Sequence, residues 1–137
     1  MTRPPLVLAA LAALIGAAGV ALAATAAHAS GGDLANTASL FLILHAASAL
    51  GIAAHARLAA SSRALLVIGF VMEAGAAIFA ADLATRALSG ARLFPFAAPL
   101  GGSAMIMSWL GLAIVFAAAA RRPQDALSAG SPAPKGR

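Results

Sequence analysis

The sequence predicts an all-α integral membrane protein: a four-transmembrane-helix bundle with an up-down path, short loops and a disordered C-terminal tail. Composition is the first indication, because 62% of the 137 residues are hydrophobic and 9% are charged, whereas soluble domains are roughly 45–50% apolar and about 25% charged. The mean hydropathy is +0.95. Four long apolar runs fill most of the chain, and none alternates like a barrel strand. Lipid is therefore the expected solvent of this fold.

The predicted helices cover residues 5–27, 34–56, 64–88 and 101–120. Each is long enough to cross a hydrocarbon layer of roughly 30 Å at about 1.5 Å per residue. Pro4 and Pro5 lie at the start of the first helix, where proline is tolerated. Asp33 or Asn36 is the expected N-cap of the second, which ends at Arg57.

The last two predicted helices end at different signals. The third stops at Ser89 and Gly90, and the fourth stops at Arg121 and Arg122. We therefore expect one transmembrane domain over residues 1–120. Residues 121–137 form a basic tail rich in Pro, Ser and Ala, a composition typical of disorder.

The basic residues predict the orientation. The side that receives both chain ends carries Arg3, Arg57, Arg63, Arg121, Arg122, Lys135 and Arg137, whereas the other side carries Arg86 and Arg92. The positive-inside rule places the first side, and with it both termini, in the cytoplasm. These residues flank apolar runs, so the net charge of +5 indicates membrane topology and no nucleic-acid partner.

A cleaved signal peptide is an alternative for residues 1–29. Arg3, a long apolar run and Ala27-His28-Ala29 before Ser30 fit that pattern. The run is longer than the roughly 7–15 residues of a signal core, which favours a retained helix. The mass of the mature protein would decide between the two.

Four motifs occur in order along the chain: Ala27-His28, LHAASALGIA over residues 44–53, RALSG over 86–90, and APLGGSAMIMSWLGLAI over 98–114. With them the chain resembles the YgdD-like family of small four-helix membrane proteins, a domain of unknown function whose relatives include transmembrane protein 256 of animals. The motif residues are His28, His45, Pro99, Gly101, Gly102 and Trp109. The resemblance implies four transmembrane helices in the bacterial inner membrane, with no established activity, cofactor or catalytic residue. Glu73 and Asp82 depart from the family pattern, so neither inherits a role from it.

Glu73 is predicted to lie near the bilayer midplane, roughly 14 Å into the third helix. His45 reaches a similar depth in the second helix, and an ionisable group in lipid needs a partner. We therefore expect a Glu73–His45 contact inside the bundle. The alternatives are a protonated glutamate bonded to Ser48 or Ser108, or a glutamate that faces a partner protein.

Asp82 lies on the opposite face of the third helix from Glu73, and Arg86 follows it by one turn. The acidic-before-basic order at this spacing favours an ion pair. We expect the Asp82–Arg86 pair to close the outer end of the helix where water or headgroups reach it, with His28 as the other candidate partner of Asp82.

Other chemistry has little support in the sequence. The chain has no cysteine, and its histidines are too far apart to share one metal ion, although haem bound by a single histidine stays open. No serine has a recognisable nucleophile setting. Trp109 is expected to pack in the fourth helix, with its N–H free to bond a neighbouring helix. We therefore predict neither a cofactor nor an enzymatic activity.

Three classes of function remain at this point. A structural or accessory membrane protein, associating with itself or with a larger complex, is favoured by the short loops and the lack of a soluble domain. A small oligomeric transporter or channel would use Glu73 and His45 in the bundle interior. An enzyme acting on lipid or quinone lacks a catalytic constellation.

Overall fold

The structure is a computed structural model that describes residues 3–28, 32–58 and 62–121. Its elements are α1 (Arg3–Ala26), α2 (Gly32–Ala56), α3 (Ser62–Ser89) and α4 (Ala97–Ala120), with no strand in the described ranges. Each helix is long and apolar enough to cross a membrane. The expectation of an all-α chain with four such helices is therefore confirmed. The candidate cleavage site after Ala29 and the tail beyond Arg121 lie outside the described residues.

All four helices begin before the predicted residue, by two residues in α1, α2 and α3 and by four residues in α4. α4 begins at Ala97 instead of Gly101. Pro99 lies in its first turn, where backbone N–H groups have no intrahelical acceptor, so the N–H that proline lacks costs no hydrogen bond. α2 begins at Gly32, so the prediction of Asp33 or Asn36 as its N-cap is wrong. Asp33 instead lies in the first turn, where its carboxylate favours the positive end of the helix dipole.

The helices pack in chain order, each antiparallel to the next. Gly16 lies against Ala46, and Gly19 lies against Leu42 and Ile43, so residue numbers rise along α1 as they fall along α2. α1 also touches α3, whereas the backbone of α4 approaches α3 and its side chains reach α2. The architecture is thus a central α2–α3 pair, with α1 on one side and α4 on the other.

The contact between α3 and α4 depends on two facing glycines. A Cβ atom at Gly101 would lie 2.5 Å from the carbonyl oxygen of Gly75, and one at Gly75 would lie 2.9 Å from the carbonyl oxygen of Gly101. Small residues let helix backbones approach where lipid supplies no hydrophobic drive for association. These two glycines fix how closely α4 approaches α3.

The buried apolar residues form two clusters, one toward each end of the helices. The larger contains Leu8, Ala12, Ala49, Ile52, Ala53, Ala56, Leu65, Met72 and Leu112. The smaller contains Ala38, Leu42, Ala80 and Leu83. In the most apolar stretch of each helix, 44% of α2 and 39% of α3 is buried, against 17% of α1 and of α4. The outer helices therefore present most of their apolar side chains to the surroundings.

Candidate functional site

Glu73 carries a buried carboxyl group in the middle of α3. The residue is 3% exposed, and neither carboxyl oxygen has a hydrogen-bond partner among the described residues. At ~100° per residue, Glu73 lies about 200° around α3 from Gly75, which contacts α4, and about 40° from Gly69. Gly69 lies against Leu8 of α1 and Ile52 of α2. The carboxyl group therefore faces the α1–α2 pair and points away from α4.

His45 is a buried residue of α2 that bonds in the opposite direction, toward α4. The indole N–H of Trp109 donates to His45 Nε2 at 3.3 Å. Nδ1 lies 2.8 Å from the carbonyl oxygen of Phe41. Because Nε2 accepts, Nδ1 carries the hydrogen and donates to that carbonyl. Both ring nitrogens are thus satisfied in one tautomer, and the imidazole joins α2 to α4.

The predicted Glu73–His45 contact is therefore wrong as a hydrogen bond or ion pair within the described residues. The contact is missing because of how the helices are rotated about their axes. The two residues lie at similar depths, but Glu73 faces the α1–α2 pair, whereas the imidazole of His45 is bonded toward α4. The serine alternatives fail as well. Ser48 donates to the carbonyl of Leu44, and Ser108 donates to the carbonyl of Ala104, each on its own helix.

Asp82 forms an ion pair with Arg86, one turn later on α3. Its Oδ1 also accepts the backbone N–H of Leu93 at 2.9 Å. The side chain of Asp82 is fully buried, while that of Arg86 is 28% exposed. The expectation that water reaches Asp82 is therefore wrong, because the α3–α4 connection folds back over it. His28 is not among the partners of Asp82, and it is exposed just after α1.

The carboxylate of Asp82 thus organises the turn between α3 and α4. Gly90 and Phe96 bound this segment with left-handed φ angles of 70° and 66°. Glycine adopts this region freely, whereas a phenylalanine there costs conformational energy. A bond from a buried carboxylate to Leu93 holds the middle of the segment between these two turns. The sequence predicted the ion pair but carried no signal for the bond to Leu93, which lies in the loop.

The other motif residues, Pro99, Gly101, Gly102 and Trp109, all lie in α4. Pro99 lies in its first turn, and Gly101 lies against α3. A Cβ atom at Gly102 would meet open space. Trp109 is half exposed although its N–H is bonded to His45. No cluster of three metal-ligating side chains occurs in the part of the chain that the structure describes.

Two cavities were not predicted from the sequence. One, of about 250 Å³, lies between α2 and α4, and we call it the α2–α4 notch; it is lined by Ser48, Gly51, Ile52, His55, Trp109, Leu112 and Phe116. The other, of about 770 Å³, lies where α1 begins, α2 ends and α3 begins, with Arg57 and Arg63 among its lining residues. Both depend on which helix faces meet, and periodicity in one sequence does not show this.

Together these features define the class: a small protein of four helices that are apolar enough to span a membrane, with buried polar groups between them. Residues 8–102 match the family described as protein of unknown function (DUF423). The chain belongs to this family, which confirms the recognition of a small family of unknown function from the motifs. A search of curated proteins and a search of solved structures gave no match.

Proposed function

We propose that the protein is a non-enzymatic, multi-pass protein of the bacterial inner membrane that serves as a structural or accessory subunit. It associates with itself or with a larger membrane complex. The observation that carries this proposal is the α2–α4 notch. Exposed apolar side chains meet lipid in any membrane protein, so they do not distinguish this role. The notch is a more specific indication of association, because it combines a glycine with free space above it and a tryptophan held in place by a hydrogen bond.

The notch has the properties of a helix-packing surface. A Cβ atom at Gly51 would have nothing within 4 Å, so the backbone of another helix can approach closely there. Trp109 is held by its bond to His45, and His55 packs edge-on against Phe116. Rigid aromatic groups lose little conformational freedom on binding and are enriched where proteins associate.

The distribution of charge supports an orientation with both termini in the cytoplasm. The antiparallel order brings Arg3, Arg57, Arg63 and Arg121 to one end of the helices. Arg86 and Arg92 belong to the other end. An excess of arginine marks the cytoplasmic side. A tag after residue 137 should therefore be shielded from protease in intact cells and cleaved after the inner membrane is opened.

Extraction in a mild detergent, followed by mass spectrometry of the intact complex, tests the association. We expect a dimer or a stoichiometric partner protein with the wild type, and its loss in Gly51→Leu, which fills the notch. Gly102→Leu is the matched control, because Gly102 is also a helical glycine with open space but does not line the notch. A monomer without a protein partner in every variant would contradict the proposal.

The carboxyl group of Glu73, which has no hydrogen-bond partner among the described residues, favours a second candidate, a small oligomeric transporter. Glu73 would act there without His45, since His45 is bonded toward α4. The test is proton or ion flux in proteoliposomes that contain the wild type, Glu73→Gln or Asp33→Asn, the last being an exposed carboxylate as control. Flux equal to that of empty vesicles would remove this candidate. Flux lost in Glu73→Gln alone would favour it over the accessory role.

A further inference from the structure

The cavity of about 770 Å³ at the arginine-rich end of the helices has an amphipathic lining. We call it the basic cavity and define it by Pro5, Arg57, Arg63, Leu66, Val67 and Phe70, which are among its lining residues. Its volume lies within the roughly 300–1,000 Å³ of small-molecule sites. It is therefore large enough for a ligand of that size.

The two arginines of the basic cavity have no carboxylate within 4 Å among the described residues, where the single ion pair is Asp82–Arg86. Asp33 and Asp82 belong to the opposite end of the helices. Glu73 is buried in the middle of α3, away from the basic cavity's rim. Charge complementarity therefore calls for an anion from outside the described chain. Guanidinium groups bind phosphate through paired N–H donors, which makes arginine the preferred partner of such a group.

The apolar wall of the cavity continues from the charged rim along α3. Leu66, Val67 and Phe70 follow Arg63 toward the middle of the helix, and the distance from Arg63 to Phe70 is roughly 10 Å along the axis at ~1.5 Å per residue. Charge at the helix ends and apolar side chains farther in match the polarity of a lipid whose headgroup lies at the membrane surface.

We propose that the basic cavity binds an acidic phospholipid. The lipid phosphate lies between Arg57 and Arg63, and one acyl chain runs along Leu66 and Val67 toward Phe70. The net negative charge of the headgroup selects this lipid over a zwitterionic one, because the rim carries two arginines that have no carboxylate partner within the described ranges. This site requires only that the helices cross a bilayer, and it is independent of the accessory role.

Native mass spectrometry of the detergent-solubilised full chain, titrated with dioleoyl phosphatidylglycerol or dioleoyl phosphatidylcholine, tests the proposal. We expect preferential binding of phosphatidylglycerol to the wild type. Each arginine near an acidic lipid contributes about a fivefold gain in affinity, so Arg57→Gln/Arg63→Gln should weaken binding about 30-fold. Arg121→Gln is the matched control, because it removes a charge at the same end of the helices but does not line the cavity.

Further variants separate the other possible occupants. Val67→Trp fills the apolar wall and should weaken phosphatidylglycerol binding while both arginines remain. Asp125→Asn tests whether the tail, which lies outside the described residues, competes for the arginines; phosphatidylglycerol affinity unchanged by this substitution supports the lipid. Inorganic phosphate should not displace phosphatidylglycerol from the wild type at equal concentration. Circular dichroism and gel filtration verify that each variant is folded.

The proposal is overturned if both lipids bind the wild type equally, or if Arg57→Gln/Arg63→Gln and Arg121→Gln lose affinity to the same extent. Displacement by equimolar inorganic phosphate would assign the site to the free anion. A large gain in lipid affinity in Asp125→Asn would assign it to the tail of the chain.

Discussion

Removing the buried charge at Asp82 should destabilise the protein more than any other loss of a single carboxylate. Asp82→Asn keeps the size of the side chain but removes the negative charge that faces Arg86 and weakens the bond from the Leu93 N–H. The side chain is fully buried, so water cannot replace either partner. Because the substitution changes two interactions at once, its cost combines an electrostatic and a hydrogen-bonding contribution.

The magnitude follows from these two contributions. Removing one partner of a buried ion pair costs about 3–5 kcal/mol. The Arg86 side chain is 28% exposed, so its solvation by water offsets part of that penalty. A hydrogen bond to a charged group is worth about 1.5–3 kcal/mol, and the neutral amide retains part of it. With each contribution reduced to about half, the free energy of unfolding should fall by about 2–4 kcal/mol.

The assay is equilibrium unfolding of the wild type and Asp82→Asn in mixed micelles, followed by circular dichroism. Asp33→Asn is the control, because this exposed carboxylate in the first turn of α2 should contribute less than about 1 kcal/mol to the free energy of unfolding. In Arg86→Gln the effect of Asp82→Asn should shrink, since the two residues interact directly. Equal stability of Asp82→Asn and the wild type, or full additivity with Arg86→Gln, would refute the reasoning.

Three further substitutions test the packing between the helices, each by the same unfolding measurement. Glu73→Leu should raise the free energy of unfolding by about 1–3 kcal/mol, because it replaces a buried carboxyl group that has no hydrogen-bond partner among the described residues; a decrease would reveal a partner. Trp109→Phe should cost about 0.5–1.5 kcal/mol by removing the donor to His45, and no change would mean that this bond adds nothing. Gly101→Ala should cost about 1–3 kcal/mol, because its Cβ atom would meet the backbone of α3, whereas Gly102→Ala should cost nothing; equal effects of the two would contradict the close approach.

The local ion pair was predictable from sequence, whereas the contact between helices was not. Asp82 and Arg86 are one turn apart on a single helix, so the helical repeat alone brings them together. Glu73 and His45 belong to different helices. Their depths followed from the rise per residue, but the rotation of each helix about its axis did not. That rotation is set by where small residues allow close packing, here at Gly75 and Gly101.

The hydrophobic pattern of this chain does not predict how each helix is rotated about its axis. In a soluble helix an apolar stripe marks the buried face. Here the outward faces are apolar as well, with Leu14, Val20, Ile106 and Ile114 exposed. The bond between Trp109 and His45 is the partial exception, because the sequence indicated a tryptophan N–H able to reach a neighbouring helix. The histidine that accepts it was assigned to another partner.

The sequence by itself determined four long apolar helices, the end of the molecule that collects arginines, and membership of a family recognised by its motifs. These features depend on composition, length and local order, which the chain carries without reference to its fold. Only the tertiary structure decided that the backbone of α4 packs on α3, that Glu73 and His45 face different sides, and that two arginines line a cavity. The reason is that a helix apolar on all sides carries no signal for which face is buried, so the contacts between helices choose it.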